Sequence, residues 1–97
     1  MLLDKIKLAL RYDDDGLDED IQDTIDAAVS DLKLSGIIES KIVETDPLII
    51  RAVKTFCKAE FSSDDKESTK YKESYDMLKI HLSLSIDYNT EVLIPWK

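Results

Sequence analysis

Between Leu17 and Gly36 the apolar residues fall at Leu17, Ile21, Ile25, Ala28, Val29 and Leu32. Steps of three and four place them on one face of a helix. Glu19, Asp23, Asp26 and Ser30 fall on the opposite face. Gly36 follows the last apolar turn, where helices commonly close in a left-handed cap. The pattern predicts a helix over about 18–35 with a greasy stripe and an acidic back, and the rest of the chain has to cover that stripe.

Three more helices are predicted by the same spacing. Leu3, Ile6 and Leu10 share a face over about 2–11, with Leu2 and Ala9 beside it. Asp4 in the first turn and Arg11 in the last both suit the helix dipole. Asp46-Pro47 opens a helix over about 47–61, since Asp caps well and proline suits the first helical position. Its inner face is Ile49, Ala52, Val53, Phe56 and Cys57, and its outer face carries a basic stripe of Arg51, Lys54 and Lys58. Glu60 lies in line with the apolar face at a point where the helix is expected to have left the core. Ser63 or Asp64 caps a long helix over about 65–86, roughly 33 Å at the standard rise. Its main stripe is Tyr71, Tyr75, Leu78, Leu82 and Ile86, and a second row, Met77, Ile80 and Leu84, lies well round from the first. One small domain rarely covers a helix on two sides, so that second row is a candidate subunit contact.

The connections are less periodic. Asp13-Asp14-Asp15-Gly16 is expected to be a solvated turn. As a calcium loop it fails, because placing Gly16 sixth puts Arg11 first and Gln22 twelfth, where acids are needed. Ile37 to Thr45 is ambiguous between an extended link and a turn. The C-terminus, 87–97, contains Val92-Leu93-Ile94-Pro95-Trp96, an extended apolar tail that either folds back on its own helices or docks on a neighbour. The expected fold is all-α: a single domain of four helices, about 2–11, 18–35, 47–61 and 65–86, with an extended C-terminal tail.

Composition narrows function. Twenty-one acidic residues against thirteen Lys and Arg leave a net charge of −8, which disfavours a protein that grips phosphates. One cysteine excludes an internal disulfide and fits an intracellular site of synthesis. No signal peptide is evident at the N-terminus, and no apolar stretch approaches a membrane span. His81 stands alone and cannot build a zinc site with its neighbours. Cys57 lies on an apolar helical face, where a buried hydrophobe is the default. There is no glycine-rich phosphate loop, and the carboxylates lie on helix backs and turns. No cofactor, metal or catalytic site is expected, and the chain is read as not an enzyme.

The order of these signals resembles the phage head–tail connector family, small helical proteins of the tailed-phage neck also described as head-completion or DNA-packaging proteins. The likeness runs over about residues 2 to 88. It is carried by Leu2-Leu3-Asp4-Lys5-Ile6-Lys7, by Asp20-Ile21 with Ile25, Ala28 and Asp31-Leu32, and by Ser35-Gly36-Ile37. It continues through Asp46-Pro47-Leu48-Ile49 with Ala52-Val53, then Tyr75, Leu78, and Leu82-Ser83-Leu84-Ser85 with Tyr88. The resemblance implies a structural protein made in the bacterial host cytoplasm and located in the virion neck. It implies a homo-oligomeric ring, dodecameric in the virion, beneath the portal protein, with tail or stopper proteins attached below and DNA passing through without specific binding. Asp87 and Glu91 match no motif of the family.

A cyclic ring joins one patch to a different patch on the next copy. The acidic back (Glu19, Asp23, Asp26) and the basic stripe (Arg51, Lys54, Lys58) are two such patches; otherwise each is an ordinary solvated face. Met77, Ile80, Leu84 and the tail residues Val92, Leu93, Ile94 and Trp96 are candidates to add apolar area. The alternative reading is a small acidic intracellular adaptor or regulator that binds one basic partner rather than itself.

Overall fold

A computed structural model describes residues 2–11 and 16–89. Among them lie five α-helices: α1 (Leu2–Leu10), α2 (Asp18–Leu34), α3 (Pro47–Phe61), α4 (Asp65–Leu84) and α5 (Ile86–Asn89), with a single 3-10 turn at Glu39–Lys41. No strand occurs among the described residues. The all-α expectation holds, and the long helix boundaries agree to within a residue or two. The acidic turn Asp13 to Asp15 lies outside the described residues, as do Val92, Leu93, Ile94 and Trp96.

Local chemistry sets each boundary. Asp18, Glu19 and Asp20 occupy the first turn of α2, where carboxylates complement the helix dipole. Lys7 of α1 pairs with Asp18 at 2.8 Å, tying α1 to the start of α2. At the other end Gly36 takes φ 108°, which a side chain would strain. This lets the Gly36 amide reach the Lys33 carbonyl and the Ile37 amide reach the Leu32 carbonyl, closing a Schellman cap with Ile37 buried beneath it. Asp46 caps α3 by accepting from the Leu48 amide at 2.9 Å, with Pro47 in the first turn. Asp64 caps α4 by accepting from the Lys66 and Glu67 amides.

The core is contributed by every long helix: Ile6; Ile21, Ile25, Ala28 and Leu32; Ile37; Ile49, Ala52, Val53 and Cys57; Tyr75 and Leu82. Helix α3 is the centre, packing against α1, α2 and α4. Helices α2 and α4 lie against α3 rather than along each other, which leaves a furrow between them. Cys57 is fully buried, and burial, with Glu60 nearby, pushes its thiol up to about 12. It stays protonated and packs as a small apolar group. Glu60 is exposed, as its place at the end of the helix suggested.

The C-terminal end needs correction. The expected helix over 65–86 stops at Leu84, because Ser85 is extended (φ −82°, ψ 129°). Its Oγ accepts from the Asp87 amide at 3.3 Å and starts α5, a turn that serine favours over continuing a helix. Ile86 therefore leaves the stripe assigned to it and is exposed. Residues 87–89, expected to begin an extended tail, are helical instead. Tyr88 closes the structure. Its carbonyl accepts from the Ile38 amide at 2.8 Å, and its hydroxyl donates to Asp46 Oδ2 at 2.8 Å. One carboxylate thus caps α3 with one oxygen and holds α5 with the other.

Three consequences can be measured. Ile21 has no solvent exposure, so Ile21→Ala should lower unfolding free energy by about 2–5 kcal/mol in urea denaturation followed by circular dichroism. Leu8, 81% exposed, should tolerate Leu8→Ala within about 0.5 kcal/mol. Burial and the Asp46 carboxylate push the Tyr88 hydroxyl up from 10.0 to about 12. The unfolded chain then ionises first as pH rises, so the Tyr88 contribution is whole below pH 10 and is lost as pH climbs towards 12. Tyr88→Phe should remove that part of the alkaline loss of stability.

Candidate assembly interface

Three surfaces predicted from the sequence can be placed on this framework. The first is the row on α4. Tyr75 and Leu82 face the core, and Met77, Ile80 and Leu84 lie nearly opposite, at 65%, 55% and 75% exposure. No element of the described chain covers them, and Ile86 extends the apolar surface past the end of α4.

The second is the acidic back of α2. Glu19, Asp23 and Asp26 are all exposed, and Asp26 accepts from the Gln22 side chain at 3.0 Å. The third is the basic stripe of α3, which is only partly available. Arg51 is exposed, while Lys54 and Lys58 are half-buried. Lys58 lies over the Tyr71 ring, 5.6 Å from its centroid, a cation–π contact that holds its stem against α4. Within one chain, the acidic and basic patches form none of the described ion pairs with each other. Arg51 lines a shallow depression with Tyr71, Leu78 and His81, which brings the lone histidine beside the stripe.

A fourth feature was not anticipated. The furrow between α2 and α4 has a volume of about 540 Å³. Ala27, Phe56, Ala59 and Tyr75 provide its apolar lining, with Leu34 at one lip and Asp31, Lys72 and Lys79 along the edges. Asp31 bridges it: its Oδ2 accepts from the Tyr75 hydroxyl at 2.6 Å and from Lys79 at 3.1 Å. The Lys79 ammonium stands 5.3 Å from the Tyr75 ring centroid, and Phe56 meets that ring edge-on at 5.1 Å. Partial burial works to raise the Asp31 carboxyl, but the two hydrogen bonds and the Lys79 charge outweigh it and hold it below its ordinary value. Burial and Asp31 together push the Tyr75 hydroxyl well up. The available signal was Tyr75 itself, a phenol inside an apolar stripe, whose hydroxyl needs a partner when buried.

Among the described residues no cluster of His, Cys, Asp or Glu is arranged to hold a metal, and no helix is long and apolar enough to cross a membrane. The surfaces described above are faces of helices, the furrow and the depression beside Arg51. A family model described as phage connector protein matches residues 2–89. Searches of curated proteins and of solved structures gave no match.

The Asp31 bridge makes a prediction with a definite sign. Its carboxyl is depressed in the folded chain, so its stabilisation is present above the ordinary value of 3.8 and is lost as pH falls through the lower folded value. Asp31→Asn should flatten that part of the acid limb in urea titrations below pH 4. Tyr75→Phe should cost about 1.5–3 kcal/mol at neutral pH, the usual worth of a hydrogen bond to a charged group.

Proposed function

This chain belongs to the phage connector protein family, a structural family, and from that premise we propose that its copies close into a ring at the head–tail junction. In this reading the ring is dodecameric in the virion, sits below the portal protein, and carries tail or stopper proteins on its far side. The chain is made in the host cytoplasm and ends in the virion neck. The observation that carries the proposal is the match across residues 2–89. It is supported by an apolar row on α4 that nothing in the described chain covers.

The interface follows from the surfaces. A ring contact pairs unlike patches, and Met77, Ile80 and Leu84 supply apolar area on one side of the subunit. The α2 acids Glu19, Asp23 and Asp26 meet Arg51, Lys54 and Lys58 of the next copy. Exposed ion pairs contribute only ~0–1 kcal/mol each, so the charges fix register while apolar burial supplies affinity. Lys58, already held over Tyr71, enters with less conformational freedom to lose than a free lysine. A channel lined by part of the remaining negative charge lets DNA slide through without sticking, since binding would require phosphate neutralisation.

Negative-stain microscopy and mass photometry of the chain with its portal protein test this reading. Wild type should give closed rings. Ile80→Asp changes an exposed residue, so the monomer should stay folded by circular dichroism while rings fall at least tenfold. The pair Lys54→Glu and Lys58→Glu should likewise abolish rings. Rings unaffected by the lysine reversals overturn the charge register, and a chain that stays monomeric in every mixture overturns the ring. Retention of duplex DNA by purified rings at ~0.15 M salt would refute the non-adhesive channel.

A further inference from the structure

The furrow between α2 and α4 is a recess with a largely apolar base. Its volume of about 540 Å³ lies in the range of built binding sites and accommodates two or three large side chains. Leu34 at its lip is 87% exposed, although Phe56 and Tyr75 beneath are well packed against each other. The furrow is therefore a formed surface with an apolar base.

Eight residues, Thr90 to Lys97, follow the described part of the chain, and five of them are Val92, Leu93, Ile94, Pro95 and Trp96. Their starting point is fixed. The Asn89 side chain donates to the Ser83 carbonyl at 2.8 Å, and the Tyr88 carbonyl is held by the Ile38 amide. On α4, Lys72, Asp76, Lys79 and Ser83 recur at spacings of three and four, so they share one side of the helix. Three of these line the furrow. Asn89, the last described residue, is thus held one helical turn, about 6 Å of rise, beyond Lys79. Lys72 to Lys79 spans about 10 Å of helix, and Val92 to Trp96 spans about 13 Å extended. Proline suits such a segment, because an extended strand in a groove needs no helical backbone.

We infer that Val92 to Trp96 of the chain's own C-terminus lie in the furrow between α2 and α4, running back along α4 over Ala59, Phe56 and Tyr75. The connection is intramolecular, so a short tether gives the tail a high effective concentration at the site. This inference does not rest on ring formation: it concerns the single chain.

Trp96 is the sole tryptophan, so intrinsic emission reports the tail alone. At concentrations where sedimentation shows a monomer, the folded chain should emit at shorter wavelength than the same chain in urea. Leu34→Asp alters only the exposed lip and should shift emission towards the urea position with the circular dichroism unchanged. For position, a spin label at Lys97→Cys is selective because Cys57 is buried and its thiol protonated. It should broaden the amide signals of Ala27, Lys72 and Asp76 within the same molecule. Water-like Trp96 emission in the folded monomer overturns the inference. Broadening that appears only when labelled and isotope-enriched chains are mixed also overturns it, and assigns the furrow to the tail of a second copy.

Discussion

The covering of α3 on three sides is the constraint from which the other features follow. Ile49, Ala52, Val53 and Cys57 are buried around this helix, which no single neighbour could achieve. Helices α1, α2 and α4 each take a share. A short chain has few elements to spend on one core, and here all the long helices go to it. The outer faces of α2 and α4 are then left to other uses. An acidic back, an apolar row and a furrow are what remain once α3 has been enclosed.

Those leftover surfaces accord with the structural family to which the chain belongs. In this molecule the shifted groups serve structure. Asp31 is bound by Tyr75 and Lys79 across the furrow, Tyr88 is bound to Asp46, and Cys57 is sealed in the core. The first two tie one element to another, and the third marks a thiol packed as an apolar group. Together the two hydrogen-bonded pairs fix how α2, α4 and α5 are held in the fold.

Asp46 shows how closely the fold and the chain's end are coupled. It caps α3 and anchors α5 with the same carboxylate. The cap fixes where the central helix begins, and the anchor fixes the position of α5. A change at this position would disturb both, whereas a change at Ile86, which is exposed, touches neither.

Spacing of apolar residues determined the four long helices, their inward faces and most of their caps, because helix periodicity and capping act over a few neighbouring residues. Gly36, Asp46-Pro47 and Asp64 are local signals, and each sits where its chemistry places it. The exposed row Met77, Ile80 and Leu84 was legible for the same reason: a helix has one inner face, and a second apolar face must point elsewhere. The break at Ser85 was not, since Ile86 keeps helical spacing with Leu82; the Ser85 cap on Asp87 permits the turn and the contacts of α5 with Ile38 and Asp46 hold it. The furrow and its Asp31 bridge join residues 44 and 48 positions apart. Their meeting depends on how α2 and α4 settle against α3, and packing angles between helices are decided by the assembled core rather than by any local pattern.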